Sequence, residues 1–115
     1  MNAVERLWRA LGRRDWVSAE RQLHPNARIT WPHTGEVFPD AEAYVTAVRL
    51  SPGIPTVHLE RVVSDDRVVG VLVRLEREDG ERRCGGFYLL QEGRIASGTE
   101  LWVTSGAREV PPYRL

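Results

Sequence analysis

The second half of the chain alternates between apolar and polar residues with a period of two, and this feature constrains the fold most. Such alternation is typical of half-buried β-strands. The predicted strands cover residues 56–64, 67–78, 81–91 and 94–103. The segments that separate them are Asp65-Asp66, Asp79-Gly80 and Glu92-Gly93. Because Asp-Gly between two such runs is a strong hairpin signal, we expect four antiparallel strands paired in sequence order.

The first half of the chain has helical periodicity instead. The helical spacing of the apolar residues Val4, Leu7, Trp8 and Leu11 predicts a helix over residues 3–12. Asn2 and Glu5 have the spacing of a capping box at its start.

Two further helices are predicted from their caps. Asp15 can cap a helix that carries Trp16, Ala19 and Leu23 on one side and ends at Pro25. Asp40 can cap a third helix, whose buried stripe would be Ala41, Tyr44, Val45 and Val48. Between these helices we expect a short strand over 27–31 and an extended piece at 36–38, whereas 51–55 and the tail from 105 to 115 should be irregular.

Helices followed by an antiparallel meander give an α+β fold. We expect a strongly curved, mainly antiparallel sheet packed on three N-terminal helices, in one domain of residues 1–115. A curved sheet of this kind leaves a cavity at its open end.

The charge balance argues against some partners. The chain has 16 basic and 16 acidic side chains, and every basic residue is arginine. Nucleic acids and anionic membranes both favour a basic face, so neither is expected as a partner. The absence of lysine excludes Schiff-base chemistry and suggests a GC-rich bacterial genome.

Cysteine use and the N-terminal sequence bear on the compartment. Cys84 is the only cysteine, which excludes an internal disulfide and is typical of a reducing compartment. No apolar run resembles a signal peptide or a membrane span. We therefore expect a cytoplasmic protein.

Several short segments, in their order and spacing, resemble a known family over nearly the whole chain. They are VERLWRAL at 4–11, RDW at 14–16, LHPNARI at 23–29, DAEAY at 40–44, QEGRI at 91–95 and ELW at 100–102. Together they resemble the nuclear transport factor 2-like superfamily, and its SnoaL-like branch in particular. The resemblance implies a cone-shaped α+β barrel and frequently a homodimer. Members of the superfamily include ketosteroid isomerase, polyketide cyclases, limonene epoxide hydrolase and pure binders, so the fold does not fix the function.

The resemblance also implies which side chains point into the cone. They are Gly98, Glu100 and Trp102 on the last strand, Gly86, Tyr88 and Leu90 on the strand before it, and Gly70, Leu72, Arg74 and Glu76 on strand 67–78. A register slip of one residue would invert every side chain of a strand.

The ketosteroid isomerase activity itself is not expected. Trp31 occupies the position of the proton-shuttling aspartate of that enzyme. Leu7 and Gly86 stand where its oxyanion tyrosine and carboxylic acid would be. Proton transfer at carbon needs both a base and an electrophile in place.

Glu100 is the best catalytic candidate, because SnoaL-like cyclases and limonene epoxide hydrolase carry a functional carboxylate at this point of the last strand. A desolvated carboxylate has a raised pKa and can act as an acid or a base. Arg74 and Glu76 resemble the Arg-x-Asp of limonene epoxide hydrolase and would complete a carboxylate–arginine–carboxylate set. The alternative is a structural Glu100–Arg74 ion pair.

A set of mainly aromatic side chains could line the pocket and suit a small apolar ligand. The candidates are Trp16, Trp31, His33, Tyr44, Leu72, Gly86, Tyr88 and Trp102. The alternative for the aromatic residues is plain core, which helical periodicity favours for Trp8 and Trp16.

No cofactor or metal is expected. His24, His33 and His58 are irregularly spaced and have no companion carboxylates at ligand spacing. Cys84 fits a small buried residue, and Gly85-Gly86 lies within a strand rather than in a phosphate-binding loop.

Three functions remain open: an enzyme that does acid–base chemistry on an apolar substrate, a non-catalytic binding module, and a protein-interaction domain. A homodimer is also expected, because the predicted strands are apolar on both faces. The residues assigned to the outer face are Val69, Val71, Val73, Phe87, Leu89, Leu101 and Val103. An apolar face of this size is rarely left in water and is hidden by a two-fold contact.

Overall fold

Three helices open the chain in a computed structural model that describes residues 1–51, 56–104 and 110–114. They are α1 (Ala3–Gly12), α2 (Trp16–Arg21) and α3 (Ala41–Leu50). Each begins after a side-chain cap, because Asn2, Asp15 and Asp40 accept a hydrogen bond from a backbone N–H of the first turn. Asn2 and Glu5 form the predicted capping box. All three predicted helix starts are confirmed.

The strands of the described residues form one sheet. They are β1 (Leu23–Trp31), β2 (Glu36–Phe38), β3 (Thr56–Ser64), β4 (Val68–Arg77), β5 (Gly80–Gln91) and β6 (Arg94–Thr104). Their order across the sheet is β2-β1-β6-β5-β4-β3. Strands β3 to β6 pair antiparallel in sequence order, as predicted, while β1 runs parallel to β6. The sheet is curved and does not close, which confirms the predicted α+β cone.

The turn between β5 and β6 follows from its sequence. Glu92 and Gly93 both have positive φ, 51° and 74°, which is the requirement of a two-residue type I′ hairpin turn. In the preceding hairpin β4 ends at Arg77, one residue earlier than predicted, and β5 begins one residue earlier than predicted, at Gly80, whose φ is 130°.

Strand β1 starts earlier than the sequence predicts. Helix α2 ends at Arg21, and Leu23 already pairs with Ile95 of β6. The register shifts between Leu23 and Arg28, and this irregularity contains Pro25. Proline has no N–H to donate to the ladder and is tolerated at such bulges. Pro25 therefore lies within a strand instead of ending a helix.

The core lies between the helices and the concave face of the sheet. Helix α1 contributes Leu7 and Trp8, and α3 contributes Tyr44, all of which are fully buried. Alternate residues of β4, β5 and β6 point to the concave face, and we call each such set an inner row. At the centre of the sheet, the inner-row residues Val71, Gly86 and Glu100 are paired with one another across the three strands.

The predicted orientation of the β4 side chains was wrong, because the residues that face inward are shifted by one position along the strand. Its buried residues are Val69, Val71, Val73 and Leu75. The alternate residues Leu72, Arg74 and Glu76, expected inside the cone, lie on the convex face. For the same reason the three valines, expected on the outer face, are inside. On β5 and β6 the alternation follows the prediction, with Tyr88 and Glu100 on the concave face.

Two predicted irregular segments are described only in part. Residues 52–55 of the loop before β3, and residues 105–109 and 115 of the tail, lie outside the described residues. Pro112–Arg114 forms a single 3-10 turn. None of the described helices has the length and hydrophobicity needed to cross a bilayer.

Candidate functional site

Glu100 is a buried acidic residue in the middle of β6. Its side chain has no exposed surface. It lies in the inner row between Gly98 and Trp102, and its partner on β5 is Gly86. The predicted inward orientation of Glu100 is therefore confirmed.

Neutral donors from three elements satisfy the Glu100 carboxylate. Trp31 of β1 donates its indole N–H to Oε1 at 3.0 Å. Tyr44 of α3 donates its hydroxyl to Oε2 at 2.8 Å, and Tyr88 of β5 donates to the same oxygen at 2.5 Å. Trp8 of α1 donates its indole N–H to the Tyr88 hydroxyl at 3.2 Å. These contacts connect α1, α3 and three strands through one carboxyl group, and we call them the Glu100 network.

Two glycines make room for the Tyr88 ring within the network. A Cβ at Gly86 would lie 2.5 Å from the Tyr88 hydroxyl oxygen, and a Cβ at Gly98 would lie 2.6 Å from Cδ1 of the same ring. Side-chain carbons do not approach this closely, so both positions must lack a side chain for Tyr88 to lie along the sheet and reach Glu100.

Burial dominates the electrostatics of the network. Desolvation raises the pKa of Glu100, and the hydrogen bonds from Tyr88, Tyr44 and Trp31 oppose it without cancelling it. Trp102 lies close enough to lower this pKa slightly further, although its buried Nε1 forms no hydrogen bond with the described residues. Desolvation, followed by the nearby Glu100 charge, raises the pKa of Tyr44 and Tyr88 well above the ordinary value. Both hydroxyls therefore stay protonated and remain donors.

A cavity of about 190 Å³ opens beside this network, at the end of the cone where α1, α3 and β4 finish. All four tryptophans line it: Trp8, Trp16, Trp31 and Trp102. The described lining also includes the aliphatic Leu11, Val48, Val57 and Leu75 and the polar Arg14, His33, Thr34, Arg49, Ser51, Arg77 and Arg82. The cavity therefore combines aromatic walls with a polar mouth.

The Glu100 carboxyl group does not reach this cavity. Glu100 is not part of the lining and has no exposed surface. The Trp102 ring lies 5.7 Å from that of Trp8 and 5.8 Å from that of Trp31, between centroids. These three rings face the cavity, and both Trp8 and Trp31 hydrogen-bond to the network behind them. A ligand in the cavity would therefore contact the tryptophans and not the carboxyl group.

The predicted site residues fall into three groups. Those that line the cavity are Trp16, Trp31, His33 and Trp102. Those in or beside the buried network are Tyr44, Gly86, Tyr88 and Glu100. Those on the convex face are Leu72, Arg74 and Glu76. The exposed His33 ring stacks beside Trp31 with centroids 6.0 Å apart.

The expected contact between Glu100 and Arg74 is wrong. Arg74 ion-pairs with Glu76, and also with Glu81 at 3.3 Å and Glu60 at 3.6 Å, all at the outer surface of the sheet. The sheet itself separates this cluster from Glu100, because side chains on opposite faces of a strand point apart. The carboxylate–arginine–carboxylate set proposed from the sequence is therefore not assembled.

Arg77 and Arg82 are cavity residues that the sequence reasoning missed. Each ends an inner row at the mouth, Arg77 after Leu75 on β4 and Arg82 before Cys84 on β5. The alternation of Arg82 with Cys84 and Tyr88 was the available signal. This signal is weak by itself, because charged residues at the ends of strands are usually solvated.

Other reactive groups offer no alternative site in the described ranges. The Cys84 thiol is buried, and desolvation raises its pKa, so it is not a nucleophile at neutral pH. No three His, Cys, Asp or Glu side chains of those ranges are gathered closely enough to share a metal ion.

Comparison with known proteins identifies the fold through structure and not through sequence. By sequence, no protein-family profile and no curated protein matches the chain. A ketosteroid isomerase-like protein from Kribbella flavida superposes with a TM-score of 0.86 at 23% identity, covering 96% of this chain and 80% of that one.

Two further solved structures have the same architecture. A nuclear transport factor 2-like protein of unknown function from Burkholderia xenovorans has a TM-score of 0.79 at 16% identity, covering 97% of this chain and 87% of that one. A SnoaL-like polyketide cyclase from Shewanella denitrificans has a TM-score of 0.72 at 8% identity, with 88% of each chain covered. The chain adopts the nuclear transport factor 2-like fold.

Proposed function

We propose that the protein binds a small, largely apolar molecule with one or two rings in its tryptophan-lined cavity, and that it does so without chemistry on the ligand. The observation that carries the proposal is the convergence of all four tryptophans on a cavity of about 190 Å³. An apolar cavity of about 150 Å³ is enough to hold benzene. Aromatic walls provide large contact areas and favourable ring-stacking geometries.

The separation of Glu100 from the cavity favours binding over catalysis. A general acid or base must lie within hydrogen-bond reach of the proton that it transfers. Glu100 is fully buried, and the hydrogen bonds to its carboxyl group come from the protein side chains Trp31, Tyr44 and Tyr88. In the proposed function the Glu100 network acts on the shape of the site, because it fixes the indole of Trp31 and the hydroxyl to which Trp8 donates.

Filling the cavity tests this proposal. Val48 of α3 lines the cavity and is half-buried, whereas Thr46 on the same helix is exposed. We expect Val48→Phe to fold and to lose binding of 1-naphthamide, a neutral two-ring probe, by at least about tenfold in isothermal titration calorimetry, because the new ring occupies the space. Thr46→Phe, the control, should bind like the unmodified protein. Equal binding by the two variants would exclude this cavity as the site.

Acid–base catalysis is the second candidate function, and the buried carboxyl group favours it. Burial raises the pKa of the Glu100 carboxyl group, which lies beside two tyrosine hydroxyls, and a carboxylic acid in such a setting can serve as a proton donor. The Trp102 ring would have to move for a substrate to reach it. Turnover that Glu100→Gln abolishes, with binding retained, would favour this candidate over simple binding.

We also propose that the protein forms a homodimer through the convex face of the sheet. Support comes from the apolar side chains at the centre of that face. Phe87 is 71% exposed, Leu89 53%, Leu101 50% and Val103 58%. A contiguous apolar patch of this kind is rare on monomers, and a two-fold contact makes it complementary to itself.

A further inference from the structure

Every fully charged side chain that lines the cavity, among the described residues, is positive. The four are Arg14, Arg49, Arg77 and Arg82. No aspartate or glutamate of the described ranges shares this lining. The whole sequence contains equal numbers of basic and acidic residues, 16 of each, so composition does not explain the bias.

Helix ends account for two of these arginines. Arg49 lies in the last turn of α3, and Arg14 follows the end of α1. Cations are stabilised near the C-terminus of a helix by its partial negative charge. Arg77 and Arg82 belong to strands, so this explanation does not extend to them.

The arginines on the two faces of the β4–β5 hairpin differ in their ion pairing. Arg74 and Arg83, on the convex face, both ion-pair with glutamates of β3, β4 or β5. Arg77 and Arg82 are half-buried on the concave side, and no described carboxylate lies within 4 Å of either guanidinium. A guanidinium that has lost part of its hydration without gaining a protein anion favours an anion from outside.

We infer that the ligand is an organic anion, specifically an aromatic carboxylate, whose ring packs among the tryptophans while its carboxylate binds Arg77 and Arg82 at the mouth. This inference rests on the proposed binding function. The planar fork of arginine matches a carboxylate with two parallel hydrogen bonds. The mixed character of the cavity, with an apolar interior and arginines at one end, matches the two ends of such a ligand.

A matched pair of probes tests the inference on the unmodified protein. 1-Naphthoate and 1-naphthamide have the same rings and nearly the same shape, and differ in charge. We expect isothermal titration calorimetry to show that the naphthoate binds at least about tenfold more tightly, as charge-assisted hydrogen bonds would give.

Two variants then locate the charge preference. Arg77→Gln/Arg82→Gln should weaken 1-naphthoate binding more than 1-naphthamide binding and so reduce the difference between the probes to less than about twofold. Arg83→Gln is the control, because Arg83 is adjacent in sequence and lies on the opposite face. It should keep the full preference. A preference that survives the double substitution would show that Arg77 and Arg82 do not bind the carboxylate.

The outcomes separate this inference from the proposed function. Equal binding of the two probes would overturn the anion preference and leave the cavity as a binding site for neutral molecules. Failure of both probes to bind would overturn the proposed function, and the inference with it. The comparison of probes on the unmodified protein stays decisive even if the double variant does not fold.

Discussion

The concave and convex faces of β4, β5 and β6 are built from alternate residues of the same strands, yet they handle charge in opposite ways. On the convex face, Arg74 and Arg83 share the carboxylates of Glu60, Glu76 and Glu81 in contact with water. The concave face buries one carboxyl group, which neutral hydroxyl and indole donors satisfy. Its two arginines have no described carboxylate partner.

This contrast shows how little residue type says about role. Exposed ion pairs contribute little to stability, because water already solvates both charges. Inside the cone the same side-chain types become consequential. Desolvation raises the pKa of Glu100, and Trp31, Tyr44 and Tyr88 would each lose a hydrogen bond if Glu100 were removed. Neighbouring residues on one strand are therefore natural controls for each other.

The largest effect is expected from a charge placed on the convex face. Phe87→Asp puts a carboxylate at the centre of the apolar patch and should abolish the proposed dimer. Association at micromolar concentration corresponds to about 8 kcal/mol. Light scattering should change from about twice 13.1 kDa to 13.1 kDa.

Val17→Asp is the control for this change, because Val17 is also an exposed apolar residue but lies on α2, away from the sheet face. It should leave the mass unchanged. An unmodified protein that already scatters as a monomer at micromolar concentration would disprove the dimer proposal.

An intermediate effect on stability is expected from a substitution at Gly86, with its neighbour Gly85 as the control. Gly86→Ala places a methyl group against the Tyr88 ring, which the hydrogen bond to Glu100 holds in place. We expect a loss of about 1–3 kcal/mol in the free energy of unfolding, as for overpacked cores. A Cβ at Gly85, on the convex face, meets no described atom within 4 Å.

Urea denaturation of both glycine variants measures the difference. Because Gly85 lies beside Leu101 in the proposed dimer patch, both glycine variants are compared in the Phe87→Asp background. There Gly85→Ala should stay within about 0.5 kcal/mol of its parent, as surface substitutions usually do. Similar losses in the two variants would mean that Tyr88 does not need the space above Gly86.

The smallest effect is a pH dependence that belongs to Glu100 alone. Its pKa is raised in the folded state by burial, so the folded protein holds this proton more tightly than the unfolded chain. Stability from this group is therefore complete below the ordinary glutamate pKa and is lost as pH rises through the raised pKa. The slope for one proton is at most about 1.4 kcal/mol per pH unit.

Glu100→Gln isolates this contribution, because glutamine has a similar shape and does not titrate. The free energy of unfolding of the unmodified protein, minus that of Glu100→Gln, should fall with rising pH across that window and be flat on either side. Urea titrations at a series of pH values measure it. A difference independent of pH would show that the Glu100 pKa is not raised.

Local patterns were enough to predict the order of elements. Helix caps such as Asp40 and turn residues such as Gly93 act within a few positions of the chain, so their effect can be read from sequence. The boundary between α2 and β1 could not be predicted from local patterns, because Leu23 joins a strand through its pairing with Ile95, a residue far along the chain.

The site was predicted in part. Glu100, Tyr88 and Trp102 were placed correctly on the concave face, whereas Arg74 and its neighbours on β4 were placed on the wrong side. The family resemblance assigned Leu72, Arg74 and Glu76 of β4 to the concave face. Because β4 is apolar at most positions, its alternation of apolar and polar residues is too weak to show that this assignment is inverted. The valine row was the better indication, because it contains no charge while the alternate row contains Arg74 and Glu76.

By itself the sequence determined the helices, the meander and a curved sheet with aromatic side chains on its inner face, because hydrophobic periodicity, caps and turns are local properties. Only the tertiary structure decided that Tyr44 and Trp31 donate to Glu100, 56 and 69 positions away in the chain. It also decided that Trp102 faces the cavity while Glu100 does not. The physical reason is that hydrogen bonds and desolvation depend on distances between side chains, which exist only once separate segments have packed together.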